Sequence, residues 1–175
     1  MFKPSFSDWE VHGVLNPGGV RRPDKRICLY VRVAEAPKSD KQGVLKCPMI
    51  ISEKEYRATS KKIPTAKIMA QKKNILYMKK GACKLLNISH FRQIILSEDG
   101  FAVEEIDQSP RFAGRAGTSD YGVEDARITK IADKFYMTYV AISEKNGVYT
   151  SIAISKDTEN WDRKGIIFQE QNKDV

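Results

Sequence analysis

The chain has little of what several common chemistries require. It holds two histidines, His12 and His90, so a histidine-rich metal site cannot be assembled from it. Its three cysteines, Cys28, Cys47 and Cys83, stand far apart with no C-x-x-C pair, which argues against a zinc ribbon or a thioredoxin motif. Cys28 and Cys83 lie in apolar or strand-like surroundings and read as buried, inert thiols. No apolar run approaches the roughly 18 residues that span a bilayer. The first ten residues, Met1 to Glu10, contain no apolar signal core. The expected location is therefore cytoplasmic, with no membrane partner. Helical periodicity is nearly absent as well.

What is present is an ordinary globular composition. Of 175 residues, 41% are hydrophobic and 30% charged, too apolar for a disordered chain and enough for one domain with a substantial core. The formal net charge is +8. Clustered Lys and Arg would suggest nucleic acid. The lysine pairs Lys61-Lys62, Lys72-Lys73 and Lys79-Lys80 are instead spread along the sequence without interleaved aromatics. They read as a solvated basic surface, with a lesser role in drawing in an anionic substrate such as phosphate. Nucleic acid is not expected as a partner.

Strand-like runs with turn punctuation dominate. They are residues 27–33, 74–78, 88–96, 102–106, 126–131, 134–142, 148–154 and 165–168. The segment 127–168 reads as four short antiparallel strands, close to the roughly 40 to 50 residues of one propeller blade. Ser97-Glu-Asp-Gly-Phe101 and Ser155-Lys-Asp-Thr-Glu-Asn-Trp161 share a pattern: Ser ends a strand, an acidic turn follows and an aromatic comes next. That echo predicts radial repetition. Between Cys47 and Lys80 the chain makes an excursion from the first blade. Ser52 to Arg57 there predicts a helical turn with a Ser cap and a Glu three residues on.

Three places hold groups capable of chemistry. Asn16-Pro-Gly-Gly19 predicts a turn before a strand. Arg32, inside an apolar strand, either finds a partner or cleft or faces outward from the sheet. Gly122-Val-Glu-Asp-Ala-Arg127 puts two carboxylates and a guanidinium within four positions. Strand alternation predicts that Glu124 and Asp125 diverge while Asp125 and Arg127 share a face. An Asp beside an Arg suits an ion pair or a base, and needs burial or a second carboxylate to serve as an acid.

Taken together and in order, these stretches resemble glycoside hydrolase family 130, which includes β-mannoside phosphorylases and β-mannosidases. The matching segments are Asn16-Pro-Gly18, Leu29 to Glu35, Ile88 to Arg92 with Ser97-Glu-Asp-Gly100, Tyr121 to Ile131, Phe135 to Tyr139, and Trp161 through Asn172-Lys-Asp174. The resemblance implies an all-β, five-bladed β-propeller. This chain would supply roughly the first half, residues 1–175 forming the N-terminal part of a single truncated catalytic domain of about two and a half blades. It implies Asp125 as the catalytic acid. Asn16, Arg32, Glu124 and Arg127 would hold the sugar or position that acid, and Asn172 and Lys38 would lie near phosphate.

The implied reaction is inverting phosphorolysis of a β-mannoside oligosaccharide, of mannooligosaccharide or mannosyl-glucose type, giving mannose 1-phosphate. No cofactor is required beyond inorganic phosphate as co-substrate, and no metal. Phosphate needs cationic groups to hold it. A β-mannosidase would instead use water activated by a second carboxylate roughly 6.5 to 9.5 Å away. Ala126 stands where the family usually has proline, and Lys38 and Gln171 stand where phosphate-binding arginines would be sought. A non-catalytic glycan-binding propeller fragment is the reading from another class. A partial ring with uncovered sheet edges is expected to associate, so a homo-oligomer is possible.

Overall fold

The computed structural model describes residues 2–39, 44–81 and 83–168. The fold is all-β. The chain forms β1 (Trp9–Arg21) and β2 (Ile27–Pro37), then an excursion of short strands: β3 (Lys46–Ile50), β4 (Ala58–Lys62), β5 (Ile68–Lys72), β6 (Ile75–Met78) and β7 (Lys84–Leu85). It returns through β8 (Ile88–Leu96) and β9 (Val103–Ile106). A long loop then leads to β10 (Gly122–Ile131), β11 (Lys134–Ser143), β12 (Gly147–Ser155) and β13 (Asp162–Phe168).

Two four-stranded antiparallel sheets result, β1-β2-β8-β9 and β10-β11-β12-β13. Each has the strand number and hand-to-hand pairing of a propeller blade. They are joined by one parallel pairing, Gly122 with Ser89. Gly122 has φ +100°, and a Cβ there would lie 2.0 Å from the Ser89 carbonyl oxygen, so only glycine permits this contact.

Alternation decides which side chains enter the space between the sheets. Along β11, Phe135, Met137 and Tyr139 are buried, and Met137 and Tyr139 meet Cys28, Tyr30 and Phe91 of the first sheet together with Phe112. β2 is buried along almost all of its length, which suits its β-branched and aromatic run Ile-Cys-Leu-Tyr-Val. Tyr30 locks the sheets together. Its hydroxyl donates to the Thr158 carbonyl and accepts from Gln93 Nε2 and from Trp161 Nε1 at 2.7 Å.

The two Ser-Asp turns occupy equivalent places, between the third and fourth strands of each sheet. In both, the Ser hydroxyl donates to the Asp carboxylate two residues on. Each Asp in turn accepts from following backbone N–H groups, Phe101 in one turn and Glu159 and Asn160 in the other. The repetition expected from the sequence is therefore a repeated turn chemistry.

Other expectations change. Asn16 to Gly19 is not a turn before a strand; it lies inside β1, which runs unbroken past it. The pairing skips from Leu15↔Arg32 to Gly18↔Tyr30, so Asn16 and Pro17 oppose Val31 alone as a β-bulge. Ser52 to Arg57 forms bends and a strand lead-in, not a helical turn. The Ser52 hydroxyl still accepts from the Lys54 and Glu55 N–H groups, so the cap is made without a helix behind it. Cys28 and Cys47 are buried, with thiols pushed up by burial to about 12 and about 11. Cys83, by contrast, is exposed.

The excursion folds as a β3-β4 hairpin and a three-stranded β5-β6-β7 sheet. Ile50 packs with Trp9, Ile88 and Tyr121, and its N–H donates 2.8 Å to the Asp120 carbonyl, fixing the excursion to the loop that enters β10. The N-terminal residues are held by a fully buried ionic group. Arg92 bonds Glu35, and its other N–H groups reach the Lys3 carbonyl at 2.7 Å, Ser5 Oγ at 2.9 Å and His90 Nε2 at 3.0 Å.

Candidate active site

A second bulge lies on β10. Its pairing skips from Glu124↔Val140 to Arg127↔Thr138, so Asp125 and Ala126 together oppose Tyr139. Asp125 takes φ +53° to make the bulge, and Asn16 takes φ +37° to make the one on β1. Asn and Asp tolerate this left-handed region better than most residues, because their short polar side chains bond locally. Bulges re-aim side chains. Here they turn Asn16 and Asp125 toward each other across the gap between β1 and β10.

The backbones are close at this point. A Cβ at Gly18 would lie 2.6 Å from the Ala126 carbonyl oxygen, so β1 presses directly on the residue after Asp125. Ala126 is itself fully buried.

The side chains converge. Asn16 Nδ2 donates to Asp125 Oδ1 at 2.7 Å. Arg32 reaches across from β2: Nη2 makes a short contact with Glu124 Oε1, Nη1 lies 3.5 Å from Asp125 Oδ1, and Nε donates to Ser89 Oγ at 3.2 Å. Ser89 Oγ lies 3.5 Å from the same Glu124 oxygen. The side chains of Arg32, Glu124 and Asp125 are 12%, 6% and 15% exposed. Asp125 is thus the carboxylate of this group most open to a ligand. Among the described residues, both of its polar contacts fall on Oδ1.

The geometry overturns the expected alternation. Glu124 and Asp125 do not diverge, because the bulge resets the period between them and both meet Arg32. Asp125 and Arg127 make no ion pair; Arg127 is exposed and donates to the Ala126 carbonyl at 3.1 Å. Arg32 has found its partners and does not face outward. Lys38 lies just past the end of β2, exposed, with Nζ 3.4 Å from the Ser7 carbonyl. At a strand rise of about 3.3 Å per residue, it is roughly 20 Å along the strand from Arg32. Asn172 lies outside the described residues. Ser89 was not singled out from sequence. Nothing in a run of strand residues marks it, and its role follows from the parallel contact with Gly122.

A second polar feature lies on the face of β11 and β12, a pocket of about 610 Å³ whose wall includes Lys54, Arg115, Tyr139, Tyr149, Ser151 and Arg163. The Arg163 guanidinium stacks 3.8 Å above the Phe112 ring and bonds the Ala113 carbonyl. Burial lowers its pKa, against an opposing effect of Tyr139, and the charge of Arg115 adds a smaller lowering. Among the described residues, neither arginine has a carboxylate partner. Such a pair of cations suits an anion. Tyr149 donates to the Thr118 carbonyl, and burial pushes its hydroxyl up to about 12. Arg115 and Arg163 were not predicted, because a loop and a fourth strand bring them together across 48 positions of sequence. Among the described residues, no group of three or more His, Cys, Asp and Glu side chains is placed to hold a metal ion.

Comparison with known proteins gives this geometry relatives. Residues 77–174 match the profile of the glycoside hydrolase 130 family, described as beta-1,4-mannooligosaccharide phosphorylase. A beta-1,2-mannobiose phosphorylase of Listeria innocua is 31% identical over 99% of this chain and 49% of its own length. One from a Thermoanaerobacter species is 38% identical over 46% of this chain and 27% of its own length. The solved structure of the Listeria innocua beta-1,2-mannobiose phosphorylase with beta-1,2-mannobiose superposes with a TM-score of 0.83 at 29% identity. It covers 98% of this chain and 49% of that one. The chain thus spans about half the length of the first of these relatives.

Proposed function

The chain belongs to glycoside hydrolase family 130, and on that premise we propose that its protein is a glycoside phosphorylase that cleaves β-mannosides with inorganic phosphate. The two four-stranded sheets are then two blades of the five-bladed propeller that the resemblance implies. Residues 1–175 serve as the N-terminal part of one catalytic domain. β-1,2-Mannobiose is the substrate of first choice, because the relatives similar to this chain are named for that linkage.

The observation that carries the reading is the convergence of Asn16, Arg32 and Glu124 on Asp125. Asp125 is the proton donor. With Oδ1 engaged by Asn16 and Arg32, Oδ2 carries the proton and delivers it to the glycosidic oxygen, directly or through a sugar hydroxyl. The bond from the anomeric carbon to that oxygen breaks. A phosphate oxygen forms a new bond to the anomeric carbon from the opposite face, giving mannose 1-phosphate with inverted configuration and a free mannose. Asp125 is left as the carboxylate, which Arg32 stabilises.

Water as nucleophile would need a carboxylate base. Glu124, the neighbouring carboxylate, is engaged by Arg32 and Ser89, which counts against that use. Phosphate needs no base but does need cations. Arg163 on β13, in the sheet that carries Asp125, offers such a group together with Arg115 and Lys54 from the adjoining loops, and that supports phosphorolysis. The test is product analysis: β-1,2-mannobiose with inorganic phosphate yields mannose 1-phosphate, and Arg163→Met raises the KM for phosphate at least about tenfold. Free mannose released at an equal rate without phosphate would overturn phosphorolysis.

A further inference from the structure

The positive charge of the chain is concentrated in one stretch of its sequence. Residues 44–86 carry eleven Lys and Arg side chains against two Glu, a formal +9. The whole chain totals +8, so everything outside that segment sums to −1. Five of those side chains, Lys67, Lys72, Lys73, Lys79 and Lys80, lie on or beside the β5-β6 hairpin.

We infer that the β5-β6 hairpin of this excursion docks the protein on an anionic lipid surface. Lys61, Lys67, Lys72, Lys73, Lys79 and Lys80 are exposed, and among the described residues none has a carboxylate partner. Lys67 and Lys79 are held side by side, the Lys79 N–H donating 2.9 Å to the Lys67 carbonyl, with Lys80 next to them. Like charges at that spacing repel, and an external anion relieves the cost. Lys72 and Lys73 form a second pair where β5 turns into β6.

Between the two lysine groups the hairpin presents an apolar side chain. The β5-β6 pairing skips from Ile68↔Met78 to Ala70↔Tyr77, so Met69 is the bulged residue, and it is 67% exposed. Beside it a cavity of about 390 Å³ is formed by Ala66 and Met78 together with Lys67, Lys79 and Lys80.

This combination selects among polyanions. Single-stranded nucleic acid is gripped by stacking on exposed aromatics, whereas Tyr56 and Tyr77 of the segment are partly buried. Base reading favours forked guanidinium groups, and the segment holds Arg57 alone against ten lysines. Point charges around an exposed apolar group match an anionic bilayer, where each lysine near the surface is worth roughly fivefold in partitioning. The contact is peripheral; no helix among the described residues is long and apolar enough to cross a membrane.

Co-sedimentation with vesicles tests the inference. The protein sediments with vesicles containing phosphatidylglycerol, not with phosphatidylcholine alone, and about 0.5 M salt releases it. Replacing Lys72, Lys73, Lys79 and Lys80 by Gln lowers partitioning by more than about tenfold. Met69→Ser lowers it about threefold with no change of charge. Failure to sediment with phosphatidylglycerol vesicles would overturn the inference. So would retention unchanged in the Gln variant, or duplex DNA or heparin bound more tightly than the vesicles with Met69→Ser without effect.

Discussion

Asn16 and Asp125, 109 positions apart, are joined by a 2.7 Å hydrogen bond between two β-bulges on neighbouring strands. Each bulge holds its residue at positive φ, so the backbone of both strands is committed to this contact. Asn16→Gly separates the two roles, since glycine accepts φ +37° without strain but offers no donor. The folded protein persists, and kcat for phosphorolysis falls about tenfold, equivalent to about 1.4 kcal/mol of transition-state stabilisation. Asn16→Ala adds backbone strain of about 1 kcal/mol, read as a lower urea midpoint.

Arg32 is the hub of the group, bonded to Ser89 and Glu124 and close to Asp125. Arg32→Met removes the guanidinium beside a nearly buried Glu124, and unfolding in urea shows a loss of about 3 kcal/mol. Arg32→Lys recovers part of the stability. It does not recover activity, because one ammonium cannot replace a planar fork that reaches three partners.

The junction between the sheets hangs on Gly122. With φ +100° and a Cβ position 2.0 Å from the Ser89 carbonyl, Gly122→Ala must move backbone against backbone. A loss above about 3 kcal/mol is expected, read as a melting temperature lower by roughly 6 °C or more. Ser89 and Glu124 are displaced with it, so activity falls as well.

His90 gives the fold a pH dependence. Arg92 Nε–H donates to His90 Nε2, so Nδ1 holds the ring proton and faces the Tyr56 hydroxyl at 3.2 Å. Burial, with the Arg92 charge, keeps the ring neutral and its pKa well below 6.5. The unfolded chain takes up this proton and the folded chain does not. The stability contributed is therefore present above about pH 6.5 and lost as pH falls below it. Between about pH 7.5 and 6 the unfolding free energy drops by about 0.8 kcal/mol on this account, and His90→Gln removes that slope. Burial raises the pKa of Glu35, which acts in the opposite sense at lower pH, so the measurement is repeated in Glu35→Gln to isolate the histidine.

Much of this was legible in the sequence, for definite reasons. The strands of the second sheet were readable because Phe135, Met137 and Tyr139 alternate with less buried neighbours. The repeated Ser-Asp turn was readable because its chemistry is local. Asp125, Asn16 and Arg32 were named, and the structure brings them together. The bulges were not legible. Periodicity predicts where an unbroken strand points a side chain, and a bulge is a break in that period fixed by contact with another strand. Hence Asn16-Pro-Gly looked like a turn, and Arg127 looked like the partner of Asp125. The basic hairpin was missed for a related reason, since lysines distant in sequence become neighbours only through strand pairing.

The most direct test of the account is turnover of β-1,2-mannobiose by the wild-type protein and by Asp125→Asn, with and without inorganic phosphate. The wild type is expected to form mannose 1-phosphate only when phosphate is present. In Asp125→Asn, kcat falls about 10² to 10⁴-fold with the melting temperature little changed. Undiminished turnover in Asp125→Asn, or absence of phosphate-dependent product from the wild type, would contradict it.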